Sequence, residues 1–247
     1  MAIRAKKNNP CPKIKNPCQK NRNMSINETV KEIKQSFRLM MDGAVAQSMR
    51  DKGVNYHLNW GATIPRLQAK ANEIKSLIAA EDSVRPCPSA STNNSPLYTL
   101  SIALYKENVR ECKILASMLM PADEILPEVV DIWMDQIPSL EIAEQLSFNL
   151  WQHLPYAPEK AYQWLASERE YDQYCGFHVL TRLFMNGQEP NERGINEYVD
   201  QLLSALQGPY PSVRKAAMQS VVRFAELGLL YERLAKSALK SINLEFF

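Results

Sequence analysis

The sequence predicts an all-α protein, a solenoid of antiparallel helix pairs. Three observations carry that reading. Apolar residues recur at three- and four-residue steps, and the long segments lack the two-residue alternation of strands. Only eight glycines occur in 247 residues. Short breaks marked by proline or glycine separate segments of helical length.

The elements follow in chain order. Ser25 or Asn27 can cap a first helix, in which Ile26, Val30, Ile33, Phe37 and Met40/Met41 form one stripe running to about Met49. Arg50–Pro65 interrupts it with Gly53, Gly61 and Pro65, and a helix restarts near Ile64. Residues 83–96 hold three prolines and many small polar groups, so a loop is expected there. The helices expected beyond it are 97–106, 108–119, 122–136, 139–153, 158–167, 169–186, 191–207, 211–226 and 228–243. Breaks of a few residues fold neighbours back antiparallel. The second helices align as related segments beginning at Val109, Ile142, Tyr174 and Val213, spaced 33, 32 and 39 residues apart. A two-helix unit near this period marks a HEAT-like repeat, in which each unit buries its apolar stripe only against its neighbours and the array curves around a concave face.

Charge divides the chain. Of 29 Lys/Arg, seven lie in residues 1–23 (Arg4, Lys6, Lys7, Lys13, Lys15, Lys20, Arg22), where there is no acid. That leaves 22 basic against 27 acidic groups in residues 24–247, a net of −5. Residues 1–23 are expected to be a basic disordered extension, since three prolines and scarcely any large apolar side chains cannot build a core. It reads either as an arm that tracks phosphates or as an extension without a role, because Met24 itself opens a plausible start, MSINETVKEIKQSF. Residues 24–247 are expected to form one repeat domain, monomeric and cytoplasmic. No apolar run approaches a membrane span, and no N-terminal stretch reads as a signal peptide. The five cysteines are odd in number and lack CxxC spacing, so they read as reduced thiols.

Motifs exclude several chemistries. There is no phosphate-binding GxxxxGK[ST], no GxGxxG after a strand, no HExxH and no nucleophile elbow. His57, His153 and His178 lie far apart without ligand spacing, so neither a metal nor a cofactor is expected.

Five segments in order resemble the DNA alkylation repair enzymes, a family of HEAT-like repeat alkylpurine DNA glycosylases. They are WGATIPRLQAKA (60–71), RECKILASMLM (110–120), DIWMDQIPSLEIAEQL (131–146), AYQWLASERE (161–170) and VRKAAMQSVVRFA (213–225). The resemblance spans about residues 30–240. It implies DNA as partner, alkylated duplex included, and hydrolysis of N-glycosidic bonds of cationic alkylated purines. Aromatic rings and one carboxylate would stabilise the developing sugar cation, since a π-face and an anion both favour positive charge.

The chain departs from the family at the reacting positions. Trp133 matches the first catalytic aromatic, but the family's Asp falls at Ile137, its Arg at Tyr174 and its second Trp near Gln219. Asp135 and Glu141 are the neighbouring carboxylates that a shifted turn would bring into use. Weak or absent excision is therefore expected. Arg110, Lys113, Arg182, Arg214, Lys215 and Arg223, with Tyr171 and Tyr174, are the candidate DNA contacts along the concave face. For Arg110 and Arg214 the alternative is an ion pair to an acid of the adjacent repeat, for the tyrosines packing at the lip, and for Trp133 a place in the core. For the whole chain the alternative is a non-catalytic scaffold that binds a protein or other ligand in its concave face.

Overall fold

A computed structural model describes residues 25–84 and 95–244, with side chains of 81–84 left aside. The expected extension over 1–23, Cys11, Cys18 and Cys87, and most of the expected loop over 83–96 lie outside the described residues. Among the described residues there are twelve α-helices and no strand. They are α1 (Ile26–Leu39), α2 (Gly43–Asp51), α3 (Ile64–Val84), α4 (Pro96–Tyr105), α5 (Arg110–Leu119), α6 (Pro127–Asp135), α7 (Leu140–Asn149), α8 (Ala157–Leu165), α9 (Glu170–Met185), α10 (Glu192–Gln207), α11 (Pro211–Ala225) and α12 (Leu229–Ser241). None is long and apolar enough to cross a membrane.

Local chemistry fixes the starts. Ser25 and Glu28 form a reciprocal capping box on α1. Ser95, Ser139 and Asn191 cap α4, α7 and α10, and prolines open α4, α6 and α11, where a missing N–H costs nothing. The first helix is not continuous to Met49 as expected. It stops at Leu39, and the Asp42 carboxylate caps α2 by accepting from the Ala44 and Val45 amides, each at 3.1 Å. The expected helix 122–136 begins only at Pro127, and 139–153 ends at Asn149 before a 3-10 turn over Trp151–His153.

The pairs α4–α5, α8–α9 and α10–α11 pack closely in order, α6 lies against α4 through the Trp133–Tyr105 stack, and α12 closes the end on α10 and α11. The second helices pack in series, α3 on α5, α5 on α7, α7 on α9 and α9 on α11. The first helices of successive pairs meet less closely. A layer whose helices are drawn together beside one whose helices are splayed makes a curved stack, concave on the tighter side. Val109, Ile142 and Val213 stand at the starts of α5, α7 and α11 in that inner layer.

The core runs through the stack. Trp151 is fully buried, 4.9 Å from the Trp164 ring, and Phe184, Tyr198, Phe224 and Tyr231 form an aromatic cluster in the last repeats. Gly176 sits where α8 crosses α9, and a Cβ there would meet the Ala161 carbonyl oxygen at 2.9 Å. At Gly61, φ is +74° and a Cβ would lie 2.1 Å from the Asp42 carbonyl oxygen, so the loop before α3 needs glycine there.

Candidate nucleic-acid interface

The loop over residues 54–63 is fastened to the starts of α5 and α7 by a buried charged cluster. Glu111 Oε1 accepts from the Trp60 amide at 3.1 Å and the Ala62 amide at 3.2 Å. Arg110, whose side chain is 1% exposed, donates to the Ala62 carbonyl at 2.8 Å and bidentately to Glu141 at 2.9 and 2.6 Å. The Tyr56 hydroxyl donates at 2.5 Å to Glu141 Oε2, the oxygen that also accepts from Arg110 Nε. Burial opposes charge on Glu141, but Arg110 and Tyr56 together hold its carboxyl below the usual glutamate range. Burial and the adjacent Glu141 push the Tyr56 phenol well above its ordinary value.

This cluster corrects the expected phosphate row. Arg110 takes the alternative reading, an ion pair to the next repeat. Lys113 is also buried: its ammonium donates to the Tyr105 carbonyl at 3.0 Å and lies 4.0 Å from the centre of the Tyr105 ring. The other face of that ring stacks on Trp133, centroids 3.9 Å apart and planes 7° from parallel. The Tyr105 hydroxyl donates to the Trp133 carbonyl at 2.7 Å. Trp133 is thus 3% exposed and belongs to the core rather than offering a π-face to a sugar.

The remaining carboxylates near Trp133 are paired. Asp135 is exposed and accepts from Arg169 at 2.5 Å, and Arg169 also holds Asp172 at 2.7 Å. Glu170 accepts from the Ser212 hydroxyl of α11. These groups rim a cleft of about 180 Å³ between the end of α6 and the start of α9, which Met134, Ile137 and Tyr171 also line. Ile137, the position where the resemblance leads an Asp to be expected, thus lines this cleft among apolar and already paired neighbours. The thiols of Cys112 and Cys175 are buried, and burial pushes Cys112 up to about 12, so neither is an activated nucleophile. Among the described residues no group of three or more His, Cys, Asp or Glu stands close enough to hold a metal.

The concave surface lies over α7, α9 and α11. On α9 the partly exposed residues Tyr171, Tyr174, His178 and Arg182 step at three to four along one face and continue to exposed Met185. The matching face of α7 carries Glu141, Glu144 and Phe148. That of α11 carries Lys215, Gln219 and Val222. The Arg182 guanidinium lies 4.5 Å over the Phe148 ring. Tyr174 and His178 are in contact, ring centroids 4.3 Å apart. Burial and then Arg182 lower the His178 pKa to about 4, so the imidazole is neutral near pH 7.

Of the predicted cations, Arg182 and Lys215 have no carboxylate partner among the described residues. Arg214 donates to the Gly208 carbonyl at 2.6 Å, and Arg223 is tied to Glu226 at 2.7 Å. Phe148 and His178 were not predicted for the groove. The available signal was Phe148's place on the polar stripe of α7, in step with Glu141 and Glu144.

No protein-family model and no curated protein matches the sequence. In structure the chain is similar to a solved protein described as one of a new family related to the HEAT-like repeat DNA glycosylases with affinity for branched DNA structures. The TM-score is 0.69 at 13% identity, covering 86% of this chain and 83% of that one. At that identity the likeness defines the fold: a HEAT-like repeat solenoid of the architecture found in proteins related to those glycosylases. This is the fold that the five sequence segments imply.

Proposed function

We propose that this protein binds DNA in the groove over α7, α9 and α11 and does not efficiently excise alkylated purines. The observation that carries the reading is the division of charge. The carboxylates near the family's reacting position are consumed in ion pairs, whereas Arg182 and Lys215 on the groove are left without a carboxylate partner. The affinity of the structural neighbour's family for branched DNA supports a backbone-reading role of the same kind. The reading takes the protein as a cytoplasmic monomer that needs neither metal nor cofactor.

Groove contacts from Arg182, Arg214 and Lys215 amount to about three phosphates. The logarithm of the binding constant then falls with the logarithm of salt at a slope of about −2.7, or about 40-fold between 50 and 200 mM. Titration of a four-way junction and a duplex over that range tests this. Binding indifferent to salt, or none, refutes it.

A second reading is a protein ligand in the same groove, favoured by the exposed Met185 and Val222 and by Glu141, Glu144 and Glu170 beside the cations. Absence of DNA binding in the same titration leaves that reading standing.

A further inference from the structure

The geometry points to a stacking site for an unpaired DNA base on the seam between α7 and α9, built from Phe148 with Arg182 and continued by His178 and Tyr174. The inference rests on the DNA reading of the groove and names the feature of the DNA that is recognised. Phe148 is 47% exposed on the otherwise polar stripe of α7, where an aromatic ring gains nothing from packing in the core. Arg182 reaches across from α9 to lie over one face of that ring, 4.5 Å from its centre, and leaves the other face to a base. One turn earlier on α9 stands His178 and, one turn before that, Tyr174, so flat groups follow one another over about 12 Å. The imidazole is neutral near pH 7, so Arg182 is the one cation of this row.

Flat groups of this kind suit base faces rather than base edges. In a paired duplex the faces are covered by neighbouring base pairs, and only edges, sugars and phosphates are offered. At a bulge, gap or branch point an unpaired base exposes its face, which rings and guanidinium planes stack upon. Arg182 sets a positive charge directly against the π surface, which gives the site both parts of a single-strand contact.

The test uses the full chain and two DNA probes with the same 2-aminopurine, one unpaired in a three-nucleotide bulge and one paired in a duplex. The wild type is expected to bind the bulged probe about 10-fold more tightly and to quench its fluorescence. Phe148→Ala is expected to lose both the preference and the quenching, and Phe148→Trp to keep both. Equal binding of the two probes, or a preference and quenching that survive Phe148→Ala, overturns the stacking site while leaving DNA binding intact. Failure to bind either probe removes the DNA reading itself.

Discussion

Glu141→Gln separates a structural carboxylate from a catalytic one. Glu141 is 24% exposed on its side chain and receives two bonds from Arg110 and one from Tyr56. The substitution leaves the Arg110 guanidinium, 1% exposed, with Glu111 at 3.3 Å as its remaining anion and with two neutral acceptors, the Ala62 carbonyl and the Gln amide oxygen, while the Gln NH2 group faces the donors of Arg110 and Tyr56. Removing one partner of a buried pair costs about 3–5 kcal/mol. Partial exposure of Glu141 and the surviving acceptors bring this to about 2–3 kcal/mol. For a domain of this size that is a drop in Tm of about 5–10 °C near neutral pH, read by thermal denaturation followed by circular dichroism. The pH dependence has a definite sign. The folded pKa of Glu141 is lowered, so its stabilisation is complete above the unfolded glutamate value, about 4.3, and is lost as pH falls through the folded value. The gap between wild type and variant therefore closes in acid below that range. Arg110→Met is expected to cost more, because it also takes the cation from buried Glu111 and leaves that carboxylate only the Trp60 and Ala62 amides, and the double variant less than the sum of the two. A Tm for Glu141→Gln within about 1 °C of wild type would refute the clamp.

Two further outcomes follow from the same geometry. Single-turnover release of 7-methylguanine from a duplex is expected to be weak or absent, because Ile137 cannot stabilise a sugar cation and loss of such a group costs about 10²–10³ in rate. Robust release that disappears in Asp135→Asn would contradict the assignment of Asp135 to Arg169. His178 has its folded pKa lowered to about 4, so its contribution to stability is complete above about 6.5 and is lost as pH falls toward 4, a change of up to about 3 kcal/mol. His178→Gln is expected to flatten urea-denaturation stability over that interval, and an unchanged slope contradicts it.

Much of the architecture was legible because each helix pair is specified locally. The caps at Ser95, Ser139 and Asn191, the prolines at helix starts and the recurrence near 33 residues are all short-range signals. The break at Met40–Asp42 was not, because the apolar stripe of α1 runs on through Met40 and Met41. What stops it is the Asp42 carboxylate turning back to cap α2, with the Asp42 amide bonded to the Trp60 carbonyl at 2.9 Å from a distant loop. The site was harder to read for the same reason. Arg110-Glu111 carried a family likeness but marks a joint of the fold, and only the position of residues 54–63 reveals that. Trp133 matched a catalytic aromatic in sequence, yet its partner Tyr105 lies 28 residues away on α4. Phe148 and Arg182 meet across two repeats, a contact that no spacing within one helix discloses.

Whether the cations of the groove hold DNA decides where the nucleic acid sits on this solenoid. The measurement is the salt dependence of junction binding by Arg182→Gln/Lys215→Gln, set against a control on other helices, Arg193→Gln/Lys236→Gln. Each lost phosphate contact takes about 0.9 from the slope, so the groove variant is expected to flatten it by about 2 and to weaken binding at low salt, with the control close to wild type. A groove variant that keeps the wild-type slope, or a control that loses it instead, contradicts the placement of DNA over α7, α9 and α11.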